Sequence, residues 1–133
     1  MTKENDLRLK SKILVVDDMM TMRKIVIRIL TEIGYSDFIE APDGAKAWDL
    51  LNSKAPFVDM VISDVNMPNM SGLDLLKKLR GDIRFRTLPF ILATSQGELS
   101  IITEAVRLGV TGYVGKPFDR ISLEEKLNAA FQT

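Results

Sequence analysis

The chain has 133 residues, 46% of them apolar, with 18 Lys plus Arg balanced by 18 Asp plus Glu. That suits one domain with a real core, and the balanced charge gives no reason to expect nucleic acid or an anionic membrane as partner. The absence of cysteine and histidine excludes disulfides, thiolate chemistry and the commonest transition-metal ligand, so any metal should be a hard ion held by oxygen.

Residues 1–11 mix charges without periodicity and read as a flexible tail, with the domain itself over 12–133. The start lacks the apolar core of a signal peptide, and no apolar run approaches the ~20 residues of a membrane span. A soluble, cytoplasmic monomer is expected. Ile13–Val16 is a short β-branched run, the pattern of a strand covered on both faces, and it ends in Asp17-Asp18. Met22, Ile25, Ile29 and Ile33 then recur at helical spacing, with Val26 and Leu30 beside them, and Gly34 closes that helix. A weak strand over Phe38–Ala41, a turn at Pro42-Asp43-Gly44 and a helix over Ala45–Leu51 follow. The third strand, Val58–Ser63, runs into Asp64. Ser71 can cap a helix carrying Leu73, Leu76 and Leu79. Pro89–Thr94 is a fourth strand, Gly97–Leu108 a fourth helix and Thr111–Val114 a fifth strand, and Ser122 starts a last helix. Strict alternation of strand and helix predicts an α/β fold, a doubly wound parallel sheet of five strands with five helices on its faces. No further output domain is expected.

In a parallel sheet the strand ends share one edge, where open α/β sheets keep their crevices. Asp17 and Asp18, Asp64, Thr94 and Lys116 all fall there. Each alone has an ordinary reading: Asp18 or Thr94 as a helix cap, Lys116 as a solvated charge. Together they make a site. Crowded carboxylates must protonate or share a cation. Lys116 is one cation, and oxygen-only ligands point to Mg²⁺ as the other, with Asp18, Asp64 and the carbonyl of Asn66 as direct ligands and Asp17 direct or through water. Such a site suits phosphoryl transfer to the Asp64 carboxylate, with Lys116 and the Thr94 hydroxyl neutralising the transferred oxygens.

The motifs Leu14-Val15-Val16-Asp17-Asp18, Thr21-Met22-Arg23, Ser63-Asp64-Val65-Asn66-Met67-Pro68-Asn69-Met70-Ser71-Gly72, Ala93-Thr94-Ser95 and Gly112-Tyr113-Val114-Gly115-Lys116-Pro117-Phe118 carry a resemblance. From Ile13 to Phe131 the chain resembles the receiver domains of bacterial two-component response regulators, and within them the stand-alone chemotaxis members. The resemblance implies the flavodoxin-like strand order 2-1-3-4-5 and phosphorylation of Asp64 by a histidine kinase with Mg²⁺. It implies a cis peptide before Pro117, and a switch in which Thr94 moves toward the phosphoryl group and Tyr113 turns inward. It also implies a target bound by the face of helix 4, strand 5 and helix 5: the flagellar motor switch protein. The protein would not be an enzyme in the ordinary sense, but a phosphoacceptor that acts by binding.

One feature supports that face independently. Ile101, Ala105 and Leu108 form one apolar stripe on the fourth helix, and Leu99, Ile102 and Val106 form a second, where a surface helix needs only one. Lys126 matches a partner-binding position of the chemotaxis relatives, whereas Leu99 replaces a lysine usual there. Gln96 stands where the best-known chemotaxis members carry glutamate. In the family this position and that of Asn66 orient the attacking water and any phosphatase, so a different phosphate lifetime or phosphatase is expected. Val65 replaces a tryptophan common in relatives. Other readings are a phosphate sink or non-flagellar receiver, and an aspartyl phosphatase. The haloacid-dehalogenase type of phosphatase wants a second aspartate where Asn66 stands, which argues against it. A flavin carrier on the same fold would want a phosphate-cradling loop where Asp17-Asp18-Met19-Met20 stands.

Overall fold

The computed structural model describes residues 7–53, 57–95 and 99–131. Strands β1 (Lys12–Val16), β2 (Asp37–Ala41), β3 (Met60–Asp64), β4 (Phe90–Ser95) and β5 (Gly112–Lys116) alternate with helices α1 (Met20–Ile33), α2 (Gly44–Asn52), α3 (Gly72–Arg80), α4 (Leu99–Arg107) and α5 (Arg120–Ala130). All pairings are parallel, in the order β2-β1-β3-β4-β5.

The pleat splits each strand's apolar run between two cores. Ile13 and Val15 of β1, Met60 and Ile62 of β3 and Ile91 of β4 meet α1 and α5. Leu14 and Val16, Val61, Phe90 and Leu92 meet α2, α3 and α4 on the other face. Both faces are therefore covered, which is why these strands read as continuous apolar runs rather than alternating ones. β2 reads weakly because it is an edge strand in which only the last residue, Ala41, is buried.

Several boundaries shift by a residue or two from the sequence reading, and three differences have a physical cause. Leu7–Lys10 forms a 3₁₀ turn rather than part of a flexible tail: Leu9 packs on the α1–α5 core and the Arg8 guanidinium donates to Asn128 Oδ1. Helix α5 begins at Arg120, not Ser122, because the Asp119 carboxylate caps it by accepting the Ser122 N–H at 2.9 Å. Lys116 belongs to β5 rather than following it, since Ser95 and Lys116 are paired. Among the described residues no helix is long and apolar enough to cross a membrane.

Candidate functional site

Pairing of Val16 with Ser63 sets Asp17 beside Asp64 at the ends of adjacent central strands. Asp64 pairs with Ala93 and Thr94 with Gly115, so Thr94 and Lys116 stand just beyond Asp64 on the same edge. Carboxylate oxygens of Asp17, Asp18 and Asp64 lie within 4.8 Å of one another. The Lys116 ammonium donates to Asp64 Oδ1 at 2.9 Å and to Asp17 Oδ2 at 3.1 Å. Asp17 and Thr94 are buried, at 4% and 2% exposure, and Asp18 is open to solvent. The crevice is therefore closed on the sheet side and accessible past Asp18.

The ordinary readings of Asp18 and Lys116 fall away in this geometry. Met19, not Asp18, is the cap residue of α1, and no side chain caps that helix. The Met19 N–H is instead held by Asp17 Oδ1 at 2.9 Å. Lys116 is no solvated surface charge, because its side chain is only 20% exposed and bridges two carboxylates.

Electrostatics show how tense the cluster is. Burial pushes the Asp64 carboxyl above its ordinary range, with Asp17 adding to the rise, against the opposing pull of Lys116. For Lys116, burial works against the charged form, but the hydrogen bonds it donates to Asp64 and Asp17 outweigh it and hold the ammonium above its usual range. One ammonium among three carboxylates leaves two negative charges uncompensated when all ionise. A hard divalent cation fits that deficit and that all-oxygen donor set, so Mg²⁺ suits these residues. Asn66 is exposed in the loop directly after β3.

Further residues fix the frame, and the sequence reading gave them no role. The Arg23 guanidinium donates to the Asp17 carbonyl at 2.7 Å and to Glu40 Oε1 at 2.9 Å, tying α1 and β2 to the acidic loop. Ser63 is fully buried and donates its hydroxyl to the Asp64 carbonyl at 2.8 Å. Gly72 packs so closely that an added Cβ would stand 2.1 Å from that same carbonyl. Arg23, Ser63 and Gly72 all lie within the motifs of the resemblance. A buried serine inside an otherwise apolar strand was the available signal for Ser63.

The other expected positions are distributed as follows. Lys116–Pro117 is a cis peptide. Tyr113 is half-buried against the α2–α4 core, with the Lys126 ammonium 5.3 Å from its ring centre. Leu99 and Val106 are 72% and 60% exposed. Ile102 is half-buried, while Ala105 of the first stripe is fully buried. Gln96 lies outside the described residues.

The model of the response regulator receiver domain family matches residues 13–128. The chain belongs to that family. It is 43% identical to the chemotaxis protein CheY1 of Helicobacter pylori over 92% of this chain and 98% of that protein. It is 44% identical to CheY-3 of Vibrio cholerae, over 91% and 92%. Among solved structures, the chemotaxis response regulator CheY4 of Vibrio cholerae superposes with a TM-score of 0.80 at 33% identity, covering 91% of this chain and 98% of that one. A putative response regulator from Chloroflexus aurantiacus superposes with a TM-score of 0.85 at 27% identity, covering 93% and 99%. This receiver therefore stands close to the CheY proteins.

Proposed function

We propose that this receiver accepts a phosphoryl group on Asp64 from a histidine kinase in the cytoplasm and then presents α4, β5 and α5 to a target. The observation that carries the reading is the Asp64 carboxylate itself, 2.9 Å from Lys116 and clustered within 4.8 Å of Asp17 and Asp18. An Asp64 oxygen attacks phosphorus. The new O–P bond forms as the P–N bond to the kinase imidazole breaks, and the imidazole leaves neutral, keeping the proton already on its other ring nitrogen. Lys116 shifts its donors onto the phosphoryl oxygens, and Thr94, one step along β4, offers its hydroxyl to them. Asp17, Asp18, Asp64 and the Asn66 carbonyl would hold Mg²⁺, which when bound neutralises charge on the transferred oxygens. Attack by water on phosphorus later returns the free carboxylate and inorganic phosphate, with Asn66 and Gln96 orienting that water. No separate catalytic base is required of the protein.

The chemotaxis names of the relatives, together with the exposed Leu99 and Val106 on α4 and the packing of Lys126 over Tyr113, favour the flagellar motor switch protein as the target. The test is binding to a peptide from that protein with and without beryllofluoride and Mg²⁺, beryllofluoride standing in for the phosphoryl group on Asp64. Binding that tightens on activation, and is lost in Asp64→Asn and in Leu99→Ser/Val106→Ser, is the expected result. Activation at Asp64 without any gain in binding would overturn the motor reading in favour of a phosphate sink or another pathway.

A further inference from the structure

The loop between β3 and α3 starts at the residue after Asp64 and carries Asn66, which is exposed. The bonds that fix this loop are made by its other residues. At its end the Gly72 N–H donates back to the Val65 carbonyl at 2.8 Å, closing the loop into a ring. Its far side is gripped by the first turn of α2. Asn69 sits at φ 68°, a left-handed conformation that asparagine tolerates, and its side-chain amide donates to Asp43 Oδ2 at 2.8 Å. The Gly44 N–H donates to the Met70 carbonyl at 3.0 Å. The backbones meet so closely there that a Cβ on Gly44 would stand 2.6 Å from that oxygen.

Asp43 does two jobs with its two oxygens. Oδ1 accepts the Lys46 N–H at 2.8 Å and caps α2. Oδ2 reaches across to the loop. Asp43 is 6% exposed and Asn69 is exposed, so this charge-assisted hydrogen bond is shielded on its carboxylate side. Capping needs only one oxygen, and a serine would serve it. The second bond makes the helix terminus rigid with the loop that follows the phosphoacceptor.

We infer that Asp43 and Asn69 form a latch that positions the β3–α3 loop, so that the first turn of α2 holds the Asn66 carbonyl in register with Asp17, Asp18 and Asp64. The inference rests on the site reading above. It makes Asp43 and Asn69 positioning residues for cation binding although neither touches the cation site.

Two variants separate the latch from its side effects. Asn69→Gly keeps the left-handed backbone and removes the amide. Asp43→Ser keeps a helix cap and removes the reach to Asn69. The measurements are amide hydrogen exchange at Gly44 in Mg²⁺-free buffer and the Mg²⁺ dissociation constant from calorimetry on the full chain. Each variant should speed exchange at Gly44 and raise the dissociation constant about tenfold, the low end of what losing an outer support costs a metal site. The double variant should be no worse than either single one, because both remove the same contact. Unchanged Mg²⁺ affinity in the variants, or effects that simply add, would overturn the latch. A wild-type chain that binds no Mg²⁺ would overturn the site reading and the latch with it, so the two failures are distinguishable.

Discussion

Replacing Gly72 with alanine tests how the phosphoacceptor is aimed. Gly72 does not occupy the left-handed region, so alanine is conformationally allowed and the objection is purely steric. The new Cβ would stand 2.1 Å from the Asp64 carbonyl oxygen and 3.1 Å from Leu92 Cδ1. Leu92 can rotate away; a carbonyl in the final bond of a central strand cannot. Ordinary contact begins at 3.4 Å, so strand end and helix start must part by about 1.3 Å. Such overpacking costs about 1–3 kcal/mol, and displacing a reacting group by ~1 Å costs about 100-fold in rate. The assays are urea unfolding, read as a lower midpoint at unchanged slope, and phosphorylation by acetyl phosphate at saturating Mg²⁺. A variant within about 0.5 kcal/mol of wild type, the usual range for a surface change, and phosphorylated at the wild-type rate would refute the reasoning.

Other consequences follow from the same contacts. The hydrogen bonds from the Lys46 amide and then from Asn69 hold the Asp43 carboxyl below its ordinary value of 3.8. A depressed acid stabilises the fold above its unfolded pKa and loses that contribution as pH falls through the folded one. Asp43→Asn should therefore be less stable than wild type by about 1 kcal/mol at neutral pH, with the gap closing below about pH 4; a gap constant with pH would count against it. In Mg²⁺-free buffer Asp64→Asn should melt higher than wild type, because burial already disfavours that charge and Asp17 lies beside it, and a lower melting temperature would contradict this. Arg80 ties α3 to the segment before β5 by donating to the Gly109 carbonyl at 2.9 Å, while also donating to the Phe85 carbonyl at 3.0 Å. Arg80→Ala should cost about 2 kcal/mol in urea unfolding, and Arg80→Lys should recover little of it, since an ammonium has no fork to span both carbonyls.

The sequence was most readable where one residue's surroundings determine it. Buried parallel strands announce themselves as Ile13–Val16 and as the apolar run ending in Ser63, since both faces must be apolar. The chemistry-bearing residues were readable because strand ends converge by topology, so finding Asp17, Asp64, Thr94 and Lys116 at four ends was enough to bring them together. What stayed hidden depends on contacts distant in the chain. Asp43 meets Asn69 across 26 positions and Arg8 meets Asn128 across 120, and neither leaves a periodic trace. The start of α5 was ambiguous for a local reason: Asp119 and Ser122 are both good caps, and the helix takes the earlier one because its carboxylate accepts the later one's N–H. The β2 edge strand was faint because only Ala41 is fully buried.

The central claim is that Asp64 is the phosphoacceptor of a cation-dependent site. Intact-protein mass spectrometry after incubation with acetyl phosphate tests it directly, in Mg²⁺ and in excess chelator. The account predicts the gain of one phosphoryl group in Mg²⁺, none in chelator, and none in Asp64→Asn under either condition. An equal gain in Asp64→Asn, or a gain indifferent to Mg²⁺, would contradict it.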